Sequence, residues 1–139
     1  MKKTTILLAA TLLVLATMPL AALSWVQVEE SACLCAIGST IYGTNGNDNI
    51  NGTTGNDCIH ALGGNDLVHG GDGLDSIFGG RGNDALHGGN GNDCITGGNG
   101  DDGLWGDAGN DSLDGNAGSD FADGGTGVDS CTNAIVINC

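Results

Sequence analysis

Between Gly43 and Thr132 one apolar position returns every nine residues: Ile50, Ile59, Val68, Ile77, Leu86, Ile95, Leu104, Leu113, Ala122 and Cys131. Side chains alternate along a strand, so a triplet centred on each of these predicts a minimal strand. Its middle residue points inward and its two neighbours point out. The other six residues of each unit are turn chemistry. Counting so that a recurring Asp is position six, position four is Gly in all ten units, and position one is Gly in nine, with Ala61 the exception. Glycine supplies the φ > 0 conformations that other residues resist, and Asn, at position five in six units, tolerates them next best. A three-residue strand and a six-residue turn reverse the chain, so two units close one flat coil. The pattern predicts an all-β solenoid of about five 18-residue coils, stacked at about 4.8 Å as two parallel sheets back to back.

The position-six residues are Asp48, Asp57, Asp66, Asp75, Asp84, Asp93, Asp102, Asp111, Asp120 and Asp129, without insertion or deletion between them. A role as turn caps alone would permit Asn or Ser. Each turn offers a carboxylate and backbone carbonyls, an all-oxygen set of hard donors. Ca²⁺ takes 6–8 oxygens in flexible geometry, whereas Mg²⁺ demands a tight octahedron and keeps its waters. Zinc would require His and Cys sets, which the repeats lack. A single file of inward side chains is also a thin core to set against the entropy of ordering so many residues. Metal binding coupled to folding would neutralise the aspartates and tie turn to turn.

Units such as Gly79-Gly80-Arg81-Gly82-Asn83-Asp84-Ala85-Leu86-His87 and Gly88-Gly89-Asn90-Gly91-Asn92-Asp93-Cys94-Ile95-Thr96 resemble the RTX, or haemolysin-type, calcium-binding nonapeptide. The resemblance spans 90 of the 139 residues. It implies a right-handed β-roll with each Ca²⁺ between consecutive turns on one side. Asp48, Asp66, Asp84, Asp102 and Asp120 line one side, and Asp57, Asp75, Asp93, Asp111 and Asp129 the other. Carbonyls of the Gly-x-Gly segments complete the ligand set, best in the middle at Gly71, Gly73, Gly80, Gly82, Gly89, Gly91, Gly98 and Gly100. Weaker sites are expected where Thr44, Thr53, Leu62, Asp107 and Asn116 replace the second glycine. Four gaps per side allow up to about eight ions.

Residues 1–24 read as a secretory signal: Lys2 and Lys3, an apolar run from Ile6 to Ala16, a break at Pro19, and Ala22-Leu23-Ser24 before a cut at Trp25. The run is short for a membrane span. The expected location is therefore secreted and extracellular, with periplasm and cell surface as alternatives, and without membrane insertion after signal cleavage. Residues 25–42 read as an N-terminal cap. Val26 and Val28 suggest a short strand, and Ile41, nine before Ile50, starts the inward phase early. Residues 133–139 form a C-terminal tail.

The net charge is −14, and losing Lys2 and Lys3 would leave Arg81 alone against 17 acids. Such a chain does not bind nucleic acid or an anionic membrane by charge. Export makes disulfides of Cys33, Cys35, Cys58, Cys94, Cys131 and Cys139 the expectation. Cys58 and Cys94 lie on one outward face but two coils, about 9.6 Å, apart, beyond disulfide reach. A cap carrying Cys33 and Cys35 could bridge to each, and Cys131–Cys139 would pin the tail. His69, His87 and Trp105 form an outward ladder, with His60 on the other face.

No nucleophile elbow, phosphate loop or acid/base pair is present. Leader, repeats and caps use the whole chain, so an enzyme is not expected. RTX arrays often accompany protease, lipase or toxin domains and a type I secretion signal; the N-terminal leader and the cysteines depart from that pattern. The reading is a secreted calcium-binding repeat protein whose folding depends on calcium, acting as a structural or interaction module, with a protein or surface partner left open. The alternative is calcium-dependent surface adhesion or ice binding through the Asn ladder. Position three, however, carries only Thr54 and Thr126 as threonines.

Overall fold

The computed structural model describes Cys35 and residues 38–139. The proposed leader and the Val26–Val28 strand lie outside the described residues. Twelve strands follow in order: β1 Ser39–Tyr42, β2 Asn49–Asn51, β3 Asp57–Gly63, β4 Leu67–Asp72, β5 Ser76–Arg81, β6 Ala85–Asn90, β7 Cys94–Asn99, β8 Gly103–Ala108, β9 Ser112–Ala117, β10 Phe121–Asp123, β11 Ser130–Thr132 and β12 Ile135–Ile137. Odd strands form one six-stranded sheet and even strands the other, each in chain order. All pairings are parallel. The register is 18 residues throughout the repeats, as in Ile59↔Ile77 and Val68↔Leu86.

The inward positions form the core. Ile59, Val68, Ile77, Leu86, Ile95, Leu104, Leu113 and Ala122 are buried between the two sheets with Ile50 and Ala61, while Ile41, Cys131 and Ala134 pack partly against them. The early apolar phase at Ile41 is real: it pairs in register with Ile59, so β1 adds a strand before the first repeat.

Two expectations need correction. The roll has six strands per sheet, where about five coils were expected, because β1 enters from the cap and β12 from the tail. The tail strand breaks the period. Ile135 pairs with Phe121, fourteen residues earlier, after a tight turn in which Asn133 takes a φ of 51°. The β-branched run Ile135-Val136-Ile137 suits this short segment to a strand, although all three side chains stay exposed. The strands of the central coils are also six residues long rather than three. Positions one to three continue the ladder, as in Gly71↔Gly89 and Asp72↔Asn90. The true turn is only positions four to six.

That extension explains the leading glycines. A Cβ on Gly88 would stand 2.4 Å from Asp93 Oδ2 and 2.9 Å from the carbonyl oxygen of Gly106 in the next coil. At Gly88 the strand leaves no room for a side chain, whereas β3 carries the small Ala61 at position one, buried in the core.

Candidate metal centre

Eight of the ten position-six aspartates, Asp57 through Asp120, are buried, and Asp48 and Asp129 at the ends are half-buried. Each carboxylate from Asp66 to Asp129 reaches back one coil. Oδ1 of Asp66, Asp75, Asp84, Asp93, Asp102, Asp111, Asp120 and Asp129 accepts the backbone N–H of the aspartate 18 residues earlier, at 2.8–2.9 Å. Position five does the reverse. Oδ1 of Asn47, Asn56, Asn65, Asn83, Asn92 and Asn110 accepts the N–H of position five in the following coil, at 2.8–3.1 Å. Adjacent turns are thus stitched in both directions. The sequence pattern gave the Asn and Asp columns but not these partners.

The second carboxylate oxygen has no such partner. Oδ2 of Asp66, Asp75, Asp84, Asp93, Asp102, Asp111 and Asp120 is buried without a hydrogen bond. An Asn could supply the Oδ1 acceptor just as well and would bring no charge. A buried carboxylate oxygen left unpaired carries a large desolvation cost, so it needs a cation or a proton. Arg81 is the single basic side chain beyond Lys3, and it cannot serve every turn.

Burial raises these acids accordingly. It pushes Asp93 up to about 7, against the opposing N–H of Asp75, with the charges of Asp75, Asp111 and Asp107 adding to the rise. Asp102 and Asp111 go to about 6 for the same leading reason. Asp75 and Asp84 are also raised by burial.

Carbonyl oxygens accompany the carboxylates. Gly71, Gly73, Gly80, Gly82, Gly89, Gly91, Gly98 and Gly100 all have φ between 112° and 135°. Their stacking is close: a Cβ on Gly91 would lie 1.5 Å from the Gly73 carbonyl oxygen, and one on Gly100 would lie 2.0 Å from that of Gly82. Among the described residues, no hydrogen bond of the turns ends on the carbonyls of Gly73, Gly82, Gly91 or Gly100. Each central turn therefore holds unpaired oxygens of two kinds, the donor chemistry that a hard divalent cation takes.

The family model for the RTX calcium-binding nonapeptide repeat (4 copies) matches residues 42–77, 69–104 and 96–131. The chain belongs to this RTX family. No curated protein and no solved structure matches it. The RTX assignment carries calcium as the ion of the repeats, and the unpaired oxygens fit that ion.

The turns are not equivalent. In the first two RTX units Thr44 and Thr53 occupy position two. The Thr44 N–H (2.6 Å) and hydroxyl (2.9 Å) both donate to Asp48 Oδ2. Thr53 does the same to Asp57 Oδ2, leaving Oδ1 as the unpaired oxygen there. Their signature, Thr-x-x-x-Asp, is visible in the chain but means nothing until the turn is closed. Leu62, Asp107 and Asn116 instead adopt the left-handed backbone of the glycine they replace, with φ of 80°, 71° and 64°.

The outward ladders are stacks of rings. His69, His87 and Trp105 lie 4.8 and 4.5 Å apart on one sheet, and Tyr42, His60 and Phe78 lie 5.1 and 4.9 Å apart on the other. Cys35 is bonded to Cys58 and Cys131 to Cys139. Cys94 is also disulfide-bonded, and Cys33 lies outside the described residues. The cap lays Cys35 over the odd-strand sheet beside Cys58 and His60, and their ligand atoms lie within 4.8 Å of one another.

Proposed function

We propose that this RTX chain is a secreted, non-enzymatic calcium-binding protein whose roll forms on Ca²⁺ and serves as a structural or interaction module. The observation that carries this reading is the row of buried, unpaired Oδ2 atoms from Asp66 to Asp120. In this reading those aspartates, with Asp129 and the carbonyls of Gly71, Gly73, Gly80, Gly82, Gly89, Gly91, Gly98 and Gly100, hold the ions. Asp48 and Asp57 bind more weakly, because threonine donors fill Oδ2, the oxygen that the turns from Asp66 to Asp120 leave unpaired. Calcium supplies the positive charge that lets all these carboxylates stay ionised inside the roll. The protein's own part is to fix the oxygens through the Oδ1 and Asn stitches and to exclude water by burial. The Asn side chains that an adhesive or ice-binding face would present are engaged in those stitches, so that alternative gains no support.

Export rests on the leader pattern in residues 1–24 and fits the disulfides. Calorimetric titration of the metal-free protein tests the ion. Saturation by several Ca²⁺ per chain, up to about eight, with Mg²⁺ unable to substitute, is the expected result. Absence of binding at millimolar Ca²⁺ would overturn the reading. A pull-down with the calcium-loaded protein then addresses the partner.

A further inference from the structure

Away from the turns, the cap and the first coils assemble a second set of donors of different chemistry. Cys58 is buried on β3, next to the edge strand β1 of the odd-strand sheet. His60, two residues on, points its Nε2 to within 3.3 Å of Cys58 Sγ and 3.9 Å of Cys35 Sγ. Its ring is clamped between those of Tyr42 and Phe78, nearly parallel to both at 11° and 8°. The imidazole is thus held in place by its stack, with Nε2 presented to the two sulfurs.

A tetrahedral zinc site has Zn–S near 2.3 Å and Zn–N near 2.0–2.1 Å, which sets sulfur–nitrogen edges of about 3.6 Å and a sulfur–sulfur edge of about 3.8 Å. The two observed sulfur–nitrogen distances straddle the first value. Only the sulfur–sulfur separation must change, from bonded to about 3.8 Å. Rotation of the exposed Cys35 side chain can supply that, since the Cα atoms of the pair are 5.1 Å apart.

We propose that Cys35, Cys58 and His60 form a redox-gated site for Zn²⁺. In the oxidised protein the Sγ–Sγ bond closes it. A dithiol reductant breaks that bond in a two-electron exchange, becoming a disulfide itself and leaving two thiols on the protein. Zn²⁺ then displaces both thiol protons and takes two thiolates and neutral His60 Nε2, with the fourth position open to water. Sulfur and nitrogen donors exclude Ca²⁺, so this site and the carboxylate turns load independently.

Co²⁺, which reports tetrahedral thiolate ligation by its visible absorption, is the probe. The full chain carrying Cys33→Ser, Cys94→Ser, Cys131→Ser and Cys139→Ser retains only the Cys35–Cys58 pair. In Ca²⁺ it is reduced with a dithiol, freed of reductant by anaerobic gel filtration, and titrated with Co²⁺ and then Zn²⁺. The expected result is one equivalent of a tetrahedral Co²⁺ spectrum, bleached by Zn²⁺, absent from the oxidised protein, and weakened at least about tenfold by His60→Phe, which preserves the ring stack. Far-UV circular dichroism in Ca²⁺ checks the fold of each variant. A folded, reduced protein with no such spectrum would overturn the proposal. So would a spectrum unchanged in His60→Phe, or a roll that unfolds on reduction although Ca²⁺ is present, because the sulfurs would then not be held by the coil.

Discussion

At Asp48 and Asp57 a threonine four residues earlier donates both its N–H and its hydroxyl to one carboxylate oxygen. At Asp75, Asp84, Asp93 and Asp102 the same position is glycine, and Oδ2 is buried with no donor at all. The aspartate is the same but the backbone is not: Gly71, Gly80, Gly89 and Gly98 take φ of 112–119°, whereas Thr44 and Thr53 stay out of the left-handed region. The first two turns fill Oδ2 with the protein's own hydrogen bonds; in the function proposed above, the central turns leave that oxygen to a cation. Periodicity alone hides this difference, since it rests on one side chain per unit.

Filling a central turn should have the largest effect of the substitutions. Gly91→Ala sets a methyl against the Gly73 carbonyl oxygen of the preceding coil. It is expected to cost about 1–3 kcal/mol in saturating Ca²⁺ by urea denaturation. Gly46→Ala, where a Cβ meets nothing closer than 3.8 Å, should stay within about 0.5 kcal/mol. Equal losses at the two positions would erase the distinction between the regions.

Asp93→Asn sharpens the comparison through its sign. Asn keeps the Oδ1 acceptor and removes the charge that burial disfavours. It should therefore stabilise the chelated protein and weaken calcium binding about tenfold, the equivalent of about 1.4 kcal/mol. Asp48→Asn should shift both far less. Loss of stability in EDTA for Asp93→Asn would show the charge to be favourable without an ion.

The next effect is one of pH. Burial raises Asp93 to about 7 and Asp102 and Asp111 to about 6 from an ordinary 3.8. A carboxyl raised on folding contributes stability that is fully present below 3.8 and is lost as pH rises through the folded value. The chelated chain should thus be most ordered near pH 4 and lose structure toward pH 7, while calcium affinity climbs over the same interval as protons leave. Thermal melts in EDTA and in Ca²⁺ across this range check both trends.

The smallest expected effect is at Leu62, half-exposed with a φ of 80°. Leu62→Gly relieves a left-handed conformation costing about 1–2 kcal/mol, offset by about 0.5–1 kcal/mol of added chain entropy. A small net gain in denaturation midpoint should result.

Much of this was legible in the chain because every unit repeats the same physical problem. The inward column from Ile50 to Leu113, the parallel pairing at 18 residues and the Asp column all follow from period and phase. Strand length did not, since glycine at positions one to three reads as turn, yet stacking makes it ladder. The β12 strand escaped because its register is fourteen residues. The Cys35–Cys58–His60 cluster was hidden by its long-range cap contact, although Cys58 and His60 stand two apart.

The central claim is that the middle turns need divalent ions to hold their buried carboxylates. The most direct measurement is far-UV circular dichroism with thermal melting of one sample at neutral pH, first in EDTA and then in millimolar Ca²⁺, with disulfides intact. The account predicts a weak β signal in EDTA that rises sharply, with a far higher melting temperature, once Ca²⁺ is added. Identical spectra and melting temperatures in the two conditions would contradict it.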